Sequence, residues 1–133
     1  MDYSMERGVL MTAVQGSSFD FDDAMHRLAG ERELFFELAE MVLSEVAQYS
    51  ADLTAAAAAC DAEKVSYVAH TLKGTAANVS AVVLVRYASE LSAAGKSGDF
   101  RRVSEIADEM LRERDRLAVE LEHLRSSSEG SDS

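Results

Sequence analysis

Not one proline interrupts the 133 residues of this chain, so no position is barred from a helix by a missing N–H or a locked ring. Strong helix formers (Ala, Leu, Glu, Arg) are abundant, and apolar residues recur at three- and four-residue spacing. Residues 65–79 show the pattern best. On a wheel advancing about 100° per residue, Val65, Val68, Ala69, Leu72, Ala76 and Val79 fall within roughly 50° of one direction. That stripe demands a core. His70 points about 140° away from it, and Ser66, Lys73, Gly74 and Ala77 gather on the same outward side. A glycine inside a helix costs about 1 kcal/mol relative to alanine, so close approach by a partner is the natural reason for Gly74.

The remaining chain reads as further helices. Asp20 or Asp22 caps a short one carrying Phe21, Ala24, Met25 and Leu28, and Gly30 ends it. Residues 31–59 form a long helix with Phe35, Leu38, Val42, Val46 or Glu45, Tyr49, Leu53 and Ala56 on one side. Asp61 caps the helix bearing His70, which ends near Asn78 to Ser80. Ala81 to Val85 has strand propensity, but a lone strand has no partner. Leu84, Ala88, Leu91 and Ala94 continue at helical spacing, so this segment too is expected to be helical. Gly95 and Ser97-Gly98 close it, and Asp99 caps the last helix. That helix runs to about Leu124, with Val103, Ala107, Met110, Leu117, Leu121 and Leu124 in register. Arg114 interrupts the series and snorkels outward, and Asp108 and Arg112 have the spacing of an ion pair. Residues 1–18 are expected as an N-terminal extension with a short packed helix through Val9, Leu10, Ala13 and Val14. Residues 126–133 read as a disordered, acidic, Ser-rich tail. Short connections make neighbours antiparallel. The expected fold is all-α: an up-down-up-down four-helix bundle over residues 19–125, with one or two short N-terminal helices.

Charge and composition exclude several functions. A formal net charge of −11 repels phosphate backbones and anionic lipid, so neither nucleic acid nor a membrane is an expected partner. No apolar run is long enough to span a bilayer, and no secretion signal is visible. The single cysteine, Cys60, in its alanine-rich setting, reads as a packed thiol in a reducing cytoplasm. No phosphate-cradling glycine loop and no nucleophile elbow is present, so the chain has no ATP site of its own. His26 near a helix end has a structural reading. Glu120 and His123 have the spacing used in di-metal bundles, but no second copy accompanies them, and no metal site is expected.

His70 has the surroundings of a phosphoacceptor. An ordinary imidazole titrates near neutral pH, so a neutral ring nitrogen attacks without a separate base. Lys73, one turn on, meets phosphoryl oxygens as a point charge. The stretch His70-Thr71-Leu72-Lys73-Gly74-Thr75-Ala76 resembles the His-x-Leu-Lys-Gly-Ser/Thr-Ala signature of histidine-containing phosphotransfer (Hpt) domains. The resemblance extends over residues 19–124. It implies that His70 is the phosphoacceptor, Lys73 a phosphoryl-interacting cation, and Gly74 the small residue admitting a receiver domain; Ala77, Ser66 and Tyr67 complete the expected docking face. It also implies a monomeric carrier between a hybrid or sensor histidine kinase and response-regulator receiver domains. No cofactor belongs to this chain; Mg2+ is expected on the receiver. Two positions depart from the family pattern. Ser80 stands where a second glycine is usual, and Ser92 where a Glu is frequent. Serine at position 80 favours capping the following helix over a left-handed turn. The alternatives are a helical adaptor without covalent chemistry, or a phosphoacceptor domain excised from a larger chemotaxis-type or hybrid kinase.

Overall fold

The computed structural model describes residues 17–132 and is helical almost throughout. Helix α1 spans Phe21–Arg27, α2 Arg32–Ala58, α3 Ala62–Asn78, α4 Val82–Ser97 and α5 Phe100–Asp132. The helix expected around Val9 to Val14 lies outside the described residues.

The four long helices close into a ring in which α2 touches α3 and α5, and α4 touches the same two. Cross-links show the antiparallel course. Ser50, Leu43 and Glu40 descend α2 while their partners Ala107, Arg114 and Arg125 ascend α5. Most of the predicted core is buried, namely Phe35, Val42, Val46, Leu53, Leu72, Leu84, Leu91, Val103, Met110 and Leu117, whereas Leu38, Tyr49 and Leu124 are only partly buried at its edge. Phe35 takes edge-on contacts from Phe19, Phe21 and Phe36, with centroids 5.0–5.3 Å apart, and this aromatic cluster fastens α1 to the bundle.

Asp20, Asp61 and Asp99 cap their helices through the backbone N–H three residues on, each at 3.1 Å. The helix ends share one device. Gly30, Asp61, Ala81 and Asp99 each donate an N–H to the carbonyl five residues earlier, at 2.7–2.9 Å, after a residue in the left-handed region. This is the Schellman closure, usually built on glycine.

Two of these turns correct the sequence reading. Cys60, expected to be packed, is exposed at φ 54°, because the helix stops at Ala58 and leaves it in the turn. Ser80 does not cap α4; Ala81 holds that position without a side-chain bond. Instead Ser80 adopts φ 53° and is buried. Its hydroxyl donates to Asp23 Oδ2 at 2.6 Å, while its carbonyl accepts the Asp20 N–H at 2.8 Å. A polar tie to α1 thus replaces the conformational freedom of glycine. Ser80→Ala should lower the urea midpoint, because it keeps the left-handed strain and loses the tie. Ser80→Gly should lie above Ser80→Ala by about 1 kcal/mol, the strain released. The Ser80 hydrogen bond, then that of Arg27, holds the Asp23 carboxyl below its ordinary range. This stabilisation is present above the unfolded carboxylate pKa and is lost as pH falls through the lowered value, so the gap between wild type and Ser80→Ala should narrow in acid.

Helix α5 departs from expectation in three ways. Arg114 does leave the core, and its Nε donates to the Leu43 carbonyl at 2.9 Å. The buried position beside it belongs to Glu113, which is 1 % exposed; Arg116 Nε donates to one of its oxygens at 2.9 Å. Asp108 and Arg112 form no ion pair, both being exposed side chains for which pairing gains little. Lastly, the segment expected as a disordered tail from Ser126 is helical to Asp132. The helix passes its predicted end where Arg125 binds Glu40 and Glu122 and lies 5.0 Å from the Phe36 ring centre, and no proline follows to stop it.

Candidate functional site

The capped start of α3 and its buried stripe of Val65, Val68, Ala69, Leu72 and Ala76 fix the rotation of this helix, and that rotation leaves His70 exposed. Beside the ring is an open depression of about 330 Å³ between α3 and α4. From α3 come Ser66, Ala69, His70 and Lys73; from α4 come Ala88, Ser89, Ser92 and Lys96. Two buried alanines, Ala69 and Ala88, form its floor. Among the described residues its polar lining is entirely hydroxyl, imidazole and ammonium, with no carboxylate.

Among the described residues, the side chains of His70, Lys73 and Lys96 make no hydrogen bond or ion pair. This contrasts with the arginines: Arg27, Arg86, Arg101, Arg102, Arg116 and Arg125 all bind carboxylates. The three lysines of the chain, Lys64, Lys73 and Lys96, all belong to α3 and α4. A protein with a large negative charge therefore keeps its unpaired ammonium groups on the two helices that flank His70.

The predicted residues divide into two sets. His70, Lys73 and Ser66 share the depression. Gly74, Ala77 and Tyr67 lie outside it, on the outer surface of α3. Among the described residues a Cβ built on Gly74 would meet nothing within 4 Å, so no contact with them requires the glycine. Tyr67 is 66 % exposed and Lys64 Nζ lies 5.6 Å from its ring centre. Sequence reasoning missed Ser89 and Lys96. Their signal was the spacing 89-92-96, a polar stripe beside the apolar 84-88-91 stripe, but only the packing of α4 on α3 shows which helix it faces. That packing is close: a Cβ on the buried Gly95 would come within 2.9 Å of Val65 Cγ1. Gly95 was expected to close α4 but lies within it.

Glu120 of the Glu120/His123 pair is engaged by the backbone. Its carboxylate accepts the backbone N–H groups of Ser18 and Phe19, at 2.6 and 3.3 Å, pinning the start of the described chain to α5. Among the described residues no three His, Cys, Asp or Glu side chains are placed to hold an ion, and no helix is long and apolar enough to cross a membrane.

Compared with known protein families, residues 37–127 match the Hpt domain, a span that contains His70 and every residue of the depression. The chain belongs to the Hpt family. A solved structure, the histidine-containing phosphotransfer protein B (HptB) of Pseudomonas aeruginosa PAO1, is similar with a TM-score of 0.71 and 22 % identity, over 84 % of this chain and 97 % of that one. At that identity the likeness establishes the helical bundle. No curated protein matches. Hpt domains carry phosphoryl groups on histidine in two-component phosphorelays, as carriers rather than kinases, in company with receiver domains and histidine kinases. This chain is such a relay intermediate.

Proposed function

We propose that His70 is the phosphoacceptor and that its donor and acceptor are aspartates of receiver domains. The observation that carries this reading is an exposed imidazole, without a protein partner among the described residues, opening on a depression that Lys73 and Lys96 also line. A receiver aspartyl phosphate docks on the outer face of α3. The Nε2 lone pair of His70 attacks phosphorus in line, the Nε2–P bond forms, the acyl O–P bond breaks, and the receiver carboxylate leaves. Lys73 follows the charge on the moving oxygens, and Mg2+ on the receiver supplies the rest of the electrostatic stabilisation. The reverse sequence hands the group to a second receiver. Gly74 and Ala77 keep the approach clear, with Tyr67 and Ser66 at the edges of the docking face.

The test is incubation with a radiolabelled phospho-receiver. The wild-type chain should gain label and His70→Gln none. Label retained by that variant on another side chain would overturn the assignment.

A further inference from the structure

We propose that the segment preceding Ser17 is a strap for the open side of α5, with Val9, Leu10, Ala13 and Val14 seated on Val119. The inference is independent of the reading of His70, since it concerns the side of the bundle that the relay site does not use.

The place where the described chain begins carries it, because three depressions meet there. The first, of about 570 Å³, is lined by Ser17, Val119 and Glu120 among others. A second, of about 400 Å³, continues along α5 past Val119 and His123 to Ser126. A third, of about 430 Å³, extends from Ser17 and Glu120 to Val82 and Leu124. Two exposed aliphatic side chains stand among them, Val119 at 59 % and Val82 at 45 % exposure.

The chain is steered to this place. Glu120 accepts the Ser18 and Phe19 N–H groups at 2.6 and 3.3 Å, and Phe19 is buried against Phe35. The chain therefore enters the bundle at the mouth of the first depression, and residues 1–16 come before that point. From Asp115 to Ser126 the face measures about 16 Å at about 1.5 Å per residue, room for a helix of about eleven residues laid alongside. The apolar spacing 9-10-13-14 fits within that length, and Gly16 supplies a break before Ser17.

Charge selects this occupant over a second copy. Two whole chains at −11 each repel, whereas residues 1–16 hold two acids, Asp2 and Glu6, against one base, Arg7. A tethered segment also acts at high effective concentration, so a small contact suffices. The consequence is functional. In the ring of helices α3 and α5 stand on opposite corners, so the strap covers an apolar patch that would otherwise attract partners and leaves the His70 face open.

The test uses the full chain with isotope-labelled methyl groups. A nitroxide is placed on Ala118→Cys in a Cys60→Ser background, Ala118 being an exposed residue at the rim. The methyl signals of Val9, Leu10 and Val14 should lose most of their intensity. A nitroxide on the native Cys60, exposed in the α2–α3 turn at the other end of the bundle, should leave them sharp. Signals that stay sharp with the label at position 118 would overturn the inference. So would an equal loss when spin-labelled and isotope-labelled molecules are mixed, which would put a second copy on this face. Urea midpoints give an independent reading. Val119→Ser should lower the midpoint, and by less once Leu10→Ser is present, because the two side chains share one contact. A Val119→Ser midpoint equal to that of the wild type would mean that this valine faces water, and the strap would be refuted.

Discussion

Gly74→Trp should slow phosphoryl transfer from a receiver by about a hundredfold or more while leaving the bundle folded, since a misplacement of the reacting atoms by 1 Å is enough for a loss of that size. Gly74 is exposed one turn beyond His70, and among the described residues a Cβ there meets nothing within 4 Å. The indole would therefore occupy the space a receiver must enter to bring its aspartyl phosphate to about 3–3.5 Å from the imidazole. Gly74→Ala separates the two roles of the residue. It should raise stability by about 1 kcal/mol through helix propensity alone, and its methyl group intrudes far less. Stability and transfer then move in opposite directions along the series Gly, Ala, Trp. Thermal unfolding and transfer rates measured on the same samples decide the matter; wild-type transfer by the Trp variant would mean that docking does not cover this face.

How far the sequence disclosed the molecule depended on whether a signal was local or between helices. The apolar stripe from Val65 to Val79, the aspartate caps and the helical reading of Ala81 to Val85 were legible, because period and capping chemistry act within one element. The side-chain direction of His70 followed from the same period. Glu113 was not legible, since a carboxylate next to an interruption in the apolar register looks like a surface residue until the ring of helices closes over it. Cys60 and Ser80 misled for a related reason. Each occupies a left-handed position usually given to glycine, and nothing along the chain announces that a buried hydroxyl will find Asp23, distant by 57 residues. Lys96 escaped notice because a site made by two helices has no contiguous motif.

Glycine shows the limit most sharply, and Gly95 supplies the second large effect. Both Gly74 and Gly95 lie within helices, yet one faces open space and the other a wall. A Cβ at Gly95 would lie 2.9 Å from Val65 Cγ1 and 3.3 Å from Val65 Cβ, so Gly95→Leu should cost about 2–3 kcal/mol through overpacking. In Gly95→Ala part of the same collision is offset by the gain in helix propensity, and Val65→Ala in that background should restore more than additivity predicts, with a coupling of about 0.5–3 kcal/mol. Urea titrations of the four members of the cycle measure it, and strictly additive midpoints would mean that α3 and α4 are not set apart by this contact. The consequence reaches the site. Gly95 precedes Lys96 in the chain, and Val65 lies little more than a turn before His70. Any residue that pushes these two backbones apart widens the basin between the imidazole and the second ammonium.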